Sequence, residues 1–164
     1  MRRVVVGTNE EGKSLVLSES VVGSADGPAA FRVGGGLPNV KVPGIPEEIR
    51  TEDVLIVNLW KSGSSAAADV AVDEASDATD FAMEPGAGGL YWRYHVWGAG
   101  HTAEPHKTNT LDLMHVLSGD ITLRLDTGDV TLQAGDALVL QAAQHGWKAG
   151  DQGCTFVHLM RALE

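Results

Sequence analysis

The segment "PHKTNTLDLMHVLSGD", residues 105–120, places two histidines and an aspartate just before a tight Ser-Gly-Asp turn. Imidazole and carboxylate groups bind first-row metal ions, and the same groups transfer protons in metal-free sites. His106 and Asp112 differ by an even number of positions, but the loop between them prevents strand parity from deciding whether they share a face. In a purely structural interpretation, Asp112 caps a turn and the histidines bond to the backbone. The residue types therefore leave a metal site, an acid–base site and simple packing open.

Short alternating segments must position these residues. "DITLRLD" alternates apolar and polar side chains with the period of a half-buried strand, and "DVTLQ", "ALVLQ" and "CTFVHLM" follow it. Turn signals separate these runs at roughly eight to twelve residues, the spacing of an antiparallel sandwich or barrel. The 20 glycines and 6 prolines fit this class. The sequence predicts an all-β fold.

Earlier in the chain, "RRVVVGTNEEGKSLVLSES" predicts a β-hairpin whose turn spans Thr8 to Lys13. Strands are also expected from Asp53 to Trp60 and from Leu90 to Trp97. A short helical turn is predicted at Pro46–Ile49, where proline precedes two glutamates. The acidic segment 64–80 lacks a sustained apolar face and is predicted to be mostly loop.

Charge and cysteine content exclude several classes of partner. The 164 residues carry a formal net charge of -10, which repels nucleic acid and anionic membrane surfaces, so neither is expected as a partner. Cys154 is the one cysteine and forms no internal disulfide, which favours a cytoplasmic protein. We expect this thiol to be a small buried hydrophobic group rather than a reactive one.

Two sets of anchors resemble the conserved motifs of the cupin family. The first motif is matched at Gly100, His106, Thr108, Asp112 and Gly119; cupins usually have a second histidine at the threonine position and a glutamate at the aspartate position. The second motif is similar to Gly135 followed by a strand and then His145 and Trp147. The stretch "HKTNTLD" is similar to a subgroup of small single-domain cupins in which the first motif reads His-x-Thr-x-Thr-x-Asp.

This resemblance implies a jelly-roll barrel whose motif residues converge at its open end. His106, Asp112 and His145 would hold a divalent metal, Fe, Zn, Mn or Ni. Alternatively, His106 and Asp112 form a metal-free catalytic acid–base pair. The residues expected to line the pocket are Thr108, Trp147 and His158.

Two further histidines leave alternatives open. His101, in the loop before His106, is either a solvated ring or a substitute for the second motif histidine. His95 lies among Tyr91, Trp92, Tyr94 and Trp97, and we interpret this aromatic group as core and dimer packing rather than a cofactor site.

The resemblance also implies a function. The subgroup includes decarboxylase-like members, so we expect a small-molecule enzyme with decarboxylase, lyase or isomerase chemistry on an oxygenated organic acid. A non-haem iron dioxygenase and a non-catalytic ligand-binding cupin are the alternatives. Residues 1–83 are expected to form an N-terminal arm with peripheral strands, and 84–164 the barrel core, together one domain. A homodimer is expected, in which the hairpin extends a partner's sheet.

Overall fold

The computed structural model describes residues 1–34, 39–63, 75 and 81–163. These residues form strands and turns, with no helix among them. The acidic segment 64–80 lies outside the described residues apart from Ala75. The strands are β1 (Arg2–Thr8), β2 (Ser14–Val21), β3 (Ala30–Val33), β4 (Val40–Val42), β5 (Val54–Ser62), β6 (Leu90–Trp97), β7 (Thr102–His106), β8 (Thr110–Arg124), β9 (Val130–Gln133), β10 (Ala137–Gln141) and β11 (His145–Ala162).

This architecture confirms the predicted all-β class and the N-terminal hairpin. β1 and β2 pair antiparallel as a two-stranded sheet, and Gly12 takes the positive φ that their connecting turn requires. Arg3 Nε donates to the Leu59 carbonyl on β5, so the hairpin is attached to the sheet of its own chain. The helical turn predicted at Pro46–Ile49 is wrong, because these residues form bends; a four-residue segment cannot repay the cost of helix nucleation.

The two longest strands, β8 and β11, bend at a corner that divides the main sheet into two parts, and each strand contributes to both parts. The first half of β8 pairs with β10 and its second half with β9, while β11 pairs first with β7 and later with β6; β8 and β11 also pair with each other. Their register shifts between Ala149 and Cys154, where both strands turn the corner. Gly119 and Gly153 have positive φ there, and a Cβ at Gly119 would collide with the Gly153 carbonyl oxygen. The corner folds one part of the sheet over the other.

The larger part of the sheet runs β10-β8-β11-β6-β5-β3-β4. β5 pairs along most of β6, so strands that precede residue 83 are continuous with those that carry the cupin-like motifs. Its inner face forms the main apolar core with residues such as Phe31, Ile56 and Phe156. A second cluster, around Val57 and Leu59, packs on the outer side of β5. In the part of the chain that is described, no helix is long and apolar enough to cross a membrane.

Candidate functional site

A cavity of about 320 Å³ lies against the inner face of the larger sheet. Its wall contains every residue that the sequence nominated for the site: His106, Thr108, Asp112, His145, Trp147 and His158. The end of β7, the segment that follows it, the first half of β8 and both ends of β11 contribute them. The structure therefore brings the two cupin-like motifs together around one space.

Register places His106 and His145 side by side at the edge of the cavity. His106 ends β7, His145 begins β11, and these two residues are paired across the strands. Their ring centroids are 4.5 Å apart. His106 Nδ1 donates to the Glu104 carbonyl and His145 Nδ1 to the Ala143 carbonyl, both at 2.8 Å. Since each Nδ1 is occupied as a donor, the neutral form of each ring keeps the lone pair of its Nε2 for a ligand.

The two imidazoles differ in exposure. His106 is exposed at the cavity mouth, whereas His145 is buried. Burial lowers the pKa of His145, and the nearby charge of His106 adds to this effect, although the Ala143 hydrogen bond and Asp112 oppose it. His145 is therefore a neutral ring at neutral pH. Trp147 lies edge-on to it, with ring centroids 5.4 Å apart.

Asp112 and His158 form a second pair of functional groups. Both side chains project from the inner face of the sheet, and Asp112 Oδ1 lies 3.6 Å from His158 Nε2. That distance allows charge interaction but is too long for a hydrogen bond. Asp112 is buried, and its Oδ1 has no hydrogen-bond partner. A carboxylate oxygen without a partner thus faces the cavity beside an imidazole.

The donor set can be compared with the metal site that the resemblance implied. His106 and His145 fit as two neighbouring ligands, because their Nε2 atoms are free and their Nδ1 hydrogen bonds orient the rings. Asp112 is not within ion-pair distance of either of these rings; among the described residues its ion-pair partner is His158. Among the described residues, no group of three His, Cys, Asp or Glu side chains could hold a metal ion. The geometry supplies two ligands of the predicted three.

Arg93, on β6, places a buried positive charge at the same cavity. Its side chain is 1% exposed, and its guanidinium donates to Asn58 Oδ1 at 3.0 Å and to the carbonyls of Ala82 and Met83. Within the described part of the chain, no carboxylate lies at ion-pair distance from it. Burial lowers the pKa of Arg93 to about 10, which leaves it charged at neutral pH.

His95 and Trp97 follow Arg93 at alternate positions of β6 and also line the cavity. His95 stacks on Phe156 with a centroid distance of 4.6 Å. Both ring nitrogens of His95 and Nε1 of Trp97 are buried and find no hydrogen-bond partner in the described part of the chain. Trp97 belongs to the main apolar core, in agreement with the sequence interpretation of these rings as packing residues, but that interpretation did not include their position at the cavity. Strand alternation was the available signal, because it puts the charged Arg93 on the same face as both rings.

The remaining candidates have simpler surroundings. Thr108 is buried at the cavity wall and accepts a hydrogen bond from Thr110 Oγ1 at 2.8 Å. His101 lies outside the cavity wall and bonds through Nδ1 to the Thr51 carbonyl at 3.1 Å, so it does not replace the second motif histidine. Cys154 is buried, and burial raises its pKa to about 12; this confirms an unreactive thiol.

Comparisons with known proteins give similarity of fold. No family model matches the chain, and no curated protein matches it. A cupin superfamily protein from Desulfitobacterium hafniense is 14% identical over 71% of this chain and 84% of its own, with a TM-score of 0.48. KdgF from Halomonas sp. is 21% identical over 46% of this chain and 70% of its own, with a TM-score of 0.41. An oxalate decarboxylase from Lactobacillus farciminis, in a formate complex, is 24% identical over 44% of this chain and 23% of its own, with a TM-score of 0.40. Cupins are thus among the solved folds to which this chain is similar, and any argument about its chemistry depends on its own residues.

Proposed function

We propose that this protein is a small-molecule enzyme that binds an oxygenated organic acid in the cavity and transfers a proton to or from it. The observation that carries the proposal is the meeting of Asp112, His158 and Arg93 at one cavity wall. A carboxylate oxygen without a hydrogen bond, and a buried cation without a carboxylate partner, are costly to enclose, and both statements hold among the described residues. A bound acid would lower that cost. Decarboxylase, lyase or isomerase chemistry of the cupin subgroup is the reaction class.

Arg93 provides the basis for binding an acid. Its guanidinium is buried and charged, and its described protein partners are neutral oxygens. A carboxylate that enters the cavity would replace the water lost by this cation with a charge-assisted hydrogen bond. Binding of the acid would therefore compensate the desolvation of Arg93.

Asp112 and His158 provide the proton transfer. Loss of carbon dioxide, elimination and isomerisation next to a carbonyl all pass through an enolate or carbanion, which must gain or lose a proton. Asp112 can accept that proton at Oδ1, and His158, 3.6 Å away, can share it or return it. The charge of Arg93 would stabilise the enolate oxygen in the transition state.

His106 and His145 would hydrogen-bond to the substrate at the mouth through their Nε2 atoms. A divalent metal on these rings stays a prediction, with two protein ligands instead of three. The iron dioxygenase alternative depends on a facial triad, and the described geometry gives it less support for that reason. A non-catalytic ligand-binding cupin uses the same cavity, and the buried polar atoms without partners favour binding as much as turnover.

Proton exchange in heavy water tests the proposal. A panel of hydroxy and oxo carboxylic acids is incubated with the enzyme, and NMR follows deuterium incorporation, elimination and loss of the carboxyl group. We expect at least one acid to react, and elemental analysis of the same preparation measures bound metal. Tight binding of an acid with no exchange or turnover in the whole panel would favour the ligand-binding alternative.

We also propose a cytoplasmic homodimer, in which a second copy covers the outer face of the larger sheet. Val139, Leu113 and Trp92 are exposed on that face, in one row across the strands. Each copy carries a net charge of -10, so two copies associate with least repulsion through a face that is poor in charge. Light scattering on the purified protein measures this assembly.

A further inference from the structure

β6 carries three inward-facing polar side chains at alternate positions, Arg93, His95 and Trp97, and all three line the cavity. We propose that side chains of this strand bind two separate groups of one ligand. Arg93 binds its carboxylate, and His95 binds a hydroxyl or carbonyl oxygen further along the ligand. Trp97 is a second hydrogen-bond donor beyond His95. The inference rests on the proposed function, and it narrows the ligand to a hydroxy or oxo acid whose second oxygen is remote from the carboxylate.

The first argument is the lack of protein partners. Nδ1 and Nε2 of His95 and Nε1 of Trp97 are buried and have no hydrogen bond to any described residue. Buried polar groups in folded proteins are nearly always paired, so three such atoms on one cavity wall are exceptional. Each of the two side chains is more than nine-tenths buried. A ligand inside the cavity can supply the missing partners.

The surroundings of His95 are the second argument. Its cross-strand neighbours on the inner face are Phe156 and Ile56, which offer no side-chain hydrogen-bond group. Val33 and Val54 line the same cavity. An apolar wall with isolated donors and acceptors is typical of a site that orients a small molecule.

The third argument is charge. Burial lowers the pKa of His95 well below its usual value, and the charges of His158 and Arg93 act in the same direction. A neutral imidazole donates one hydrogen bond and accepts another, which suits a hydroxyl group. The indole of Trp97 only donates. This end of the cavity therefore selects a neutral oxygen, whereas Arg93 selects an anion.

The spacing of residues along β6 suggests the distance between the two ligand groups that Arg93 and His95 would bind. The Cα atoms of alternate strand residues are about 6.6 Å apart, and the proposal takes a comparable separation for the oxygen that meets His95 and the carboxylate that meets Arg93. A planar acid with its hydroxyl across the ring from its carboxylate matches this spacing. The same acid with a hydroxyl adjacent to the carboxylate does not.

Binding of three matched acids tests the inference by calorimetry: benzoate, 2-hydroxybenzoate and 4-hydroxybenzoate. We expect the wild type to bind 4-hydroxybenzoate roughly tenfold or more tightly than either other acid, as expected when buried groups gain partners. His95→Leu should remove this preference while benzoate still binds. Trp97→Phe serves as the second variant, and it should reduce the preference for 4-hydroxybenzoate by less than His95→Leu does. His115→Leu, which changes an exposed histidine on the other face of β8, is the control and should keep the preference.

Thermal melting without ligand separates this role from a structural one. Because His95 has no hydrogen bonds to lose, we expect His95→Leu to melt at the same temperature as the wild type or higher. A lower melting temperature together with unchanged preference would overturn the inference, as would a wild type that binds the three acids equally or not at all. Asp112→Asn should retain the preference, so loss of turnover in that variant would test the proposed function separately.

Discussion

Each face of the larger sheet carries side chains that depart from the usual pattern, and the departures differ between the two faces. On the inner face, Asp112, Arg93 and His95 are buried, although each is polar or charged. On the outer face, Val139 is 64% exposed, and Leu113 is exposed beside it. A sheet with one solvated face ordinarily has apolar residues inside and polar residues outside. The rest of the inner face is the main apolar core, and a second apolar cluster packs on the outer side of β5, so these residues are local exceptions. Our proposals assign a ligand to the exceptions on the inner face and a second copy of the chain to those on the outer face.

A second comparison concerns two buried carboxylates. Asp53 accepts hydrogen bonds from the backbone and side chain of Arg50 and forms an ion pair with Arg32 at 3.0 Å. Asp112 Oδ1 lies 3.6 Å from His158 Nε2 and has no hydrogen bond to the described residues. Asp53 therefore contributes to stability, whereas Asp112 is positioned at a cost that ligand binding would repay.

The largest expected effect comes from Asp112→Asn. The amide keeps the size of the side chain but cannot accept a proton, so turnover of any substrate from the acid panel should fall by roughly 10²- to 10⁴-fold. Asp129→Asn, in the exposed turn between β8 and β9, is the matched control and should have wild-type activity. Steady-state kinetics measures both. Equal activity of the two variants would remove Asp112 from the mechanism.

Arg93→Gln should have the next largest effect. Removal of the buried cation should weaken carboxylate binding by roughly 10- to 150-fold, the range for hydrogen bonds to charged groups. The affinity of a neutral amide analogue of the same acid should change little, and calorimetry with both compounds measures the contrast. Since Arg93 also donates to the Ala82 and Met83 carbonyls, circular dichroism must first show that the variant is folded. Equal weakening for acid and amide would indicate a structural role.

Asp53→Asn and Asp112→Asn should affect stability differently. We expect Asp53→Asn to lower the free energy of unfolding by about 2 kcal/mol, because charge-assisted hydrogen bonds from Arg50 are lost. Asp112→Asn should leave this free energy unchanged or raise it. Urea titrations of both variants measure the difference. A larger loss for Asp112 than for Asp53 would contradict the distinction between the two carboxylates.

Asp53 also makes the stability of the fold depend on pH. Burial opposes ionisation of Asp53, but the hydrogen bonds from Arg50 and the charges of Arg32 and Arg50 outweigh it, so the pKa of Asp53 is lowered. A lowered pKa stabilises the fold above the pKa of the unfolded state, and this contribution disappears as pH falls through the folded-state pKa. Urea titrations from neutral to acidic pH should show this loss in the wild type. In Asp53→Asn, the free energy of unfolding should no longer include this loss at acidic pH.

The outer face gives the smallest expected effect. Leu113→Lys places a charge in the exposed apolar row of the outer face. Light scattering should show that the dimer of this variant dissociates at a roughly tenfold higher protein concentration than the wild-type dimer. Val130→Lys, at an exposed apolar position on β9, is the control. Turnover per chain should stay unchanged in both variants. A monomeric wild type would overturn the homodimer proposal.

Much of the local structure could be predicted from the sequence. The limits of β6 coincide with the predicted Leu90–Trp97, and the hairpin turn lies where Gly12 indicated it. These features depend on alternation and turn residues within a few positions. The resemblance of "HKTNTLD" to a cupin motif led to His106 and Asp112, both of which line the cavity. The pairing of Asp112 with His158 was not predicted, since it depends on the register of β8 and β11.

By itself, the sequence determined the all-β class, the strand and turn positions of the second half, and the residue types available for chemistry. Only the tertiary structure decided which of those residues meet. Strand periodicity assigns a side chain to a face, but the register between strands that are distant in the chain, together with the corner at Gly119 and Gly153, decides which faces enclose the cavity. For this reason the sequence indicated only packing for His95 and Trp97 and made no prediction for Arg93, whereas all three line the cavity in the fold.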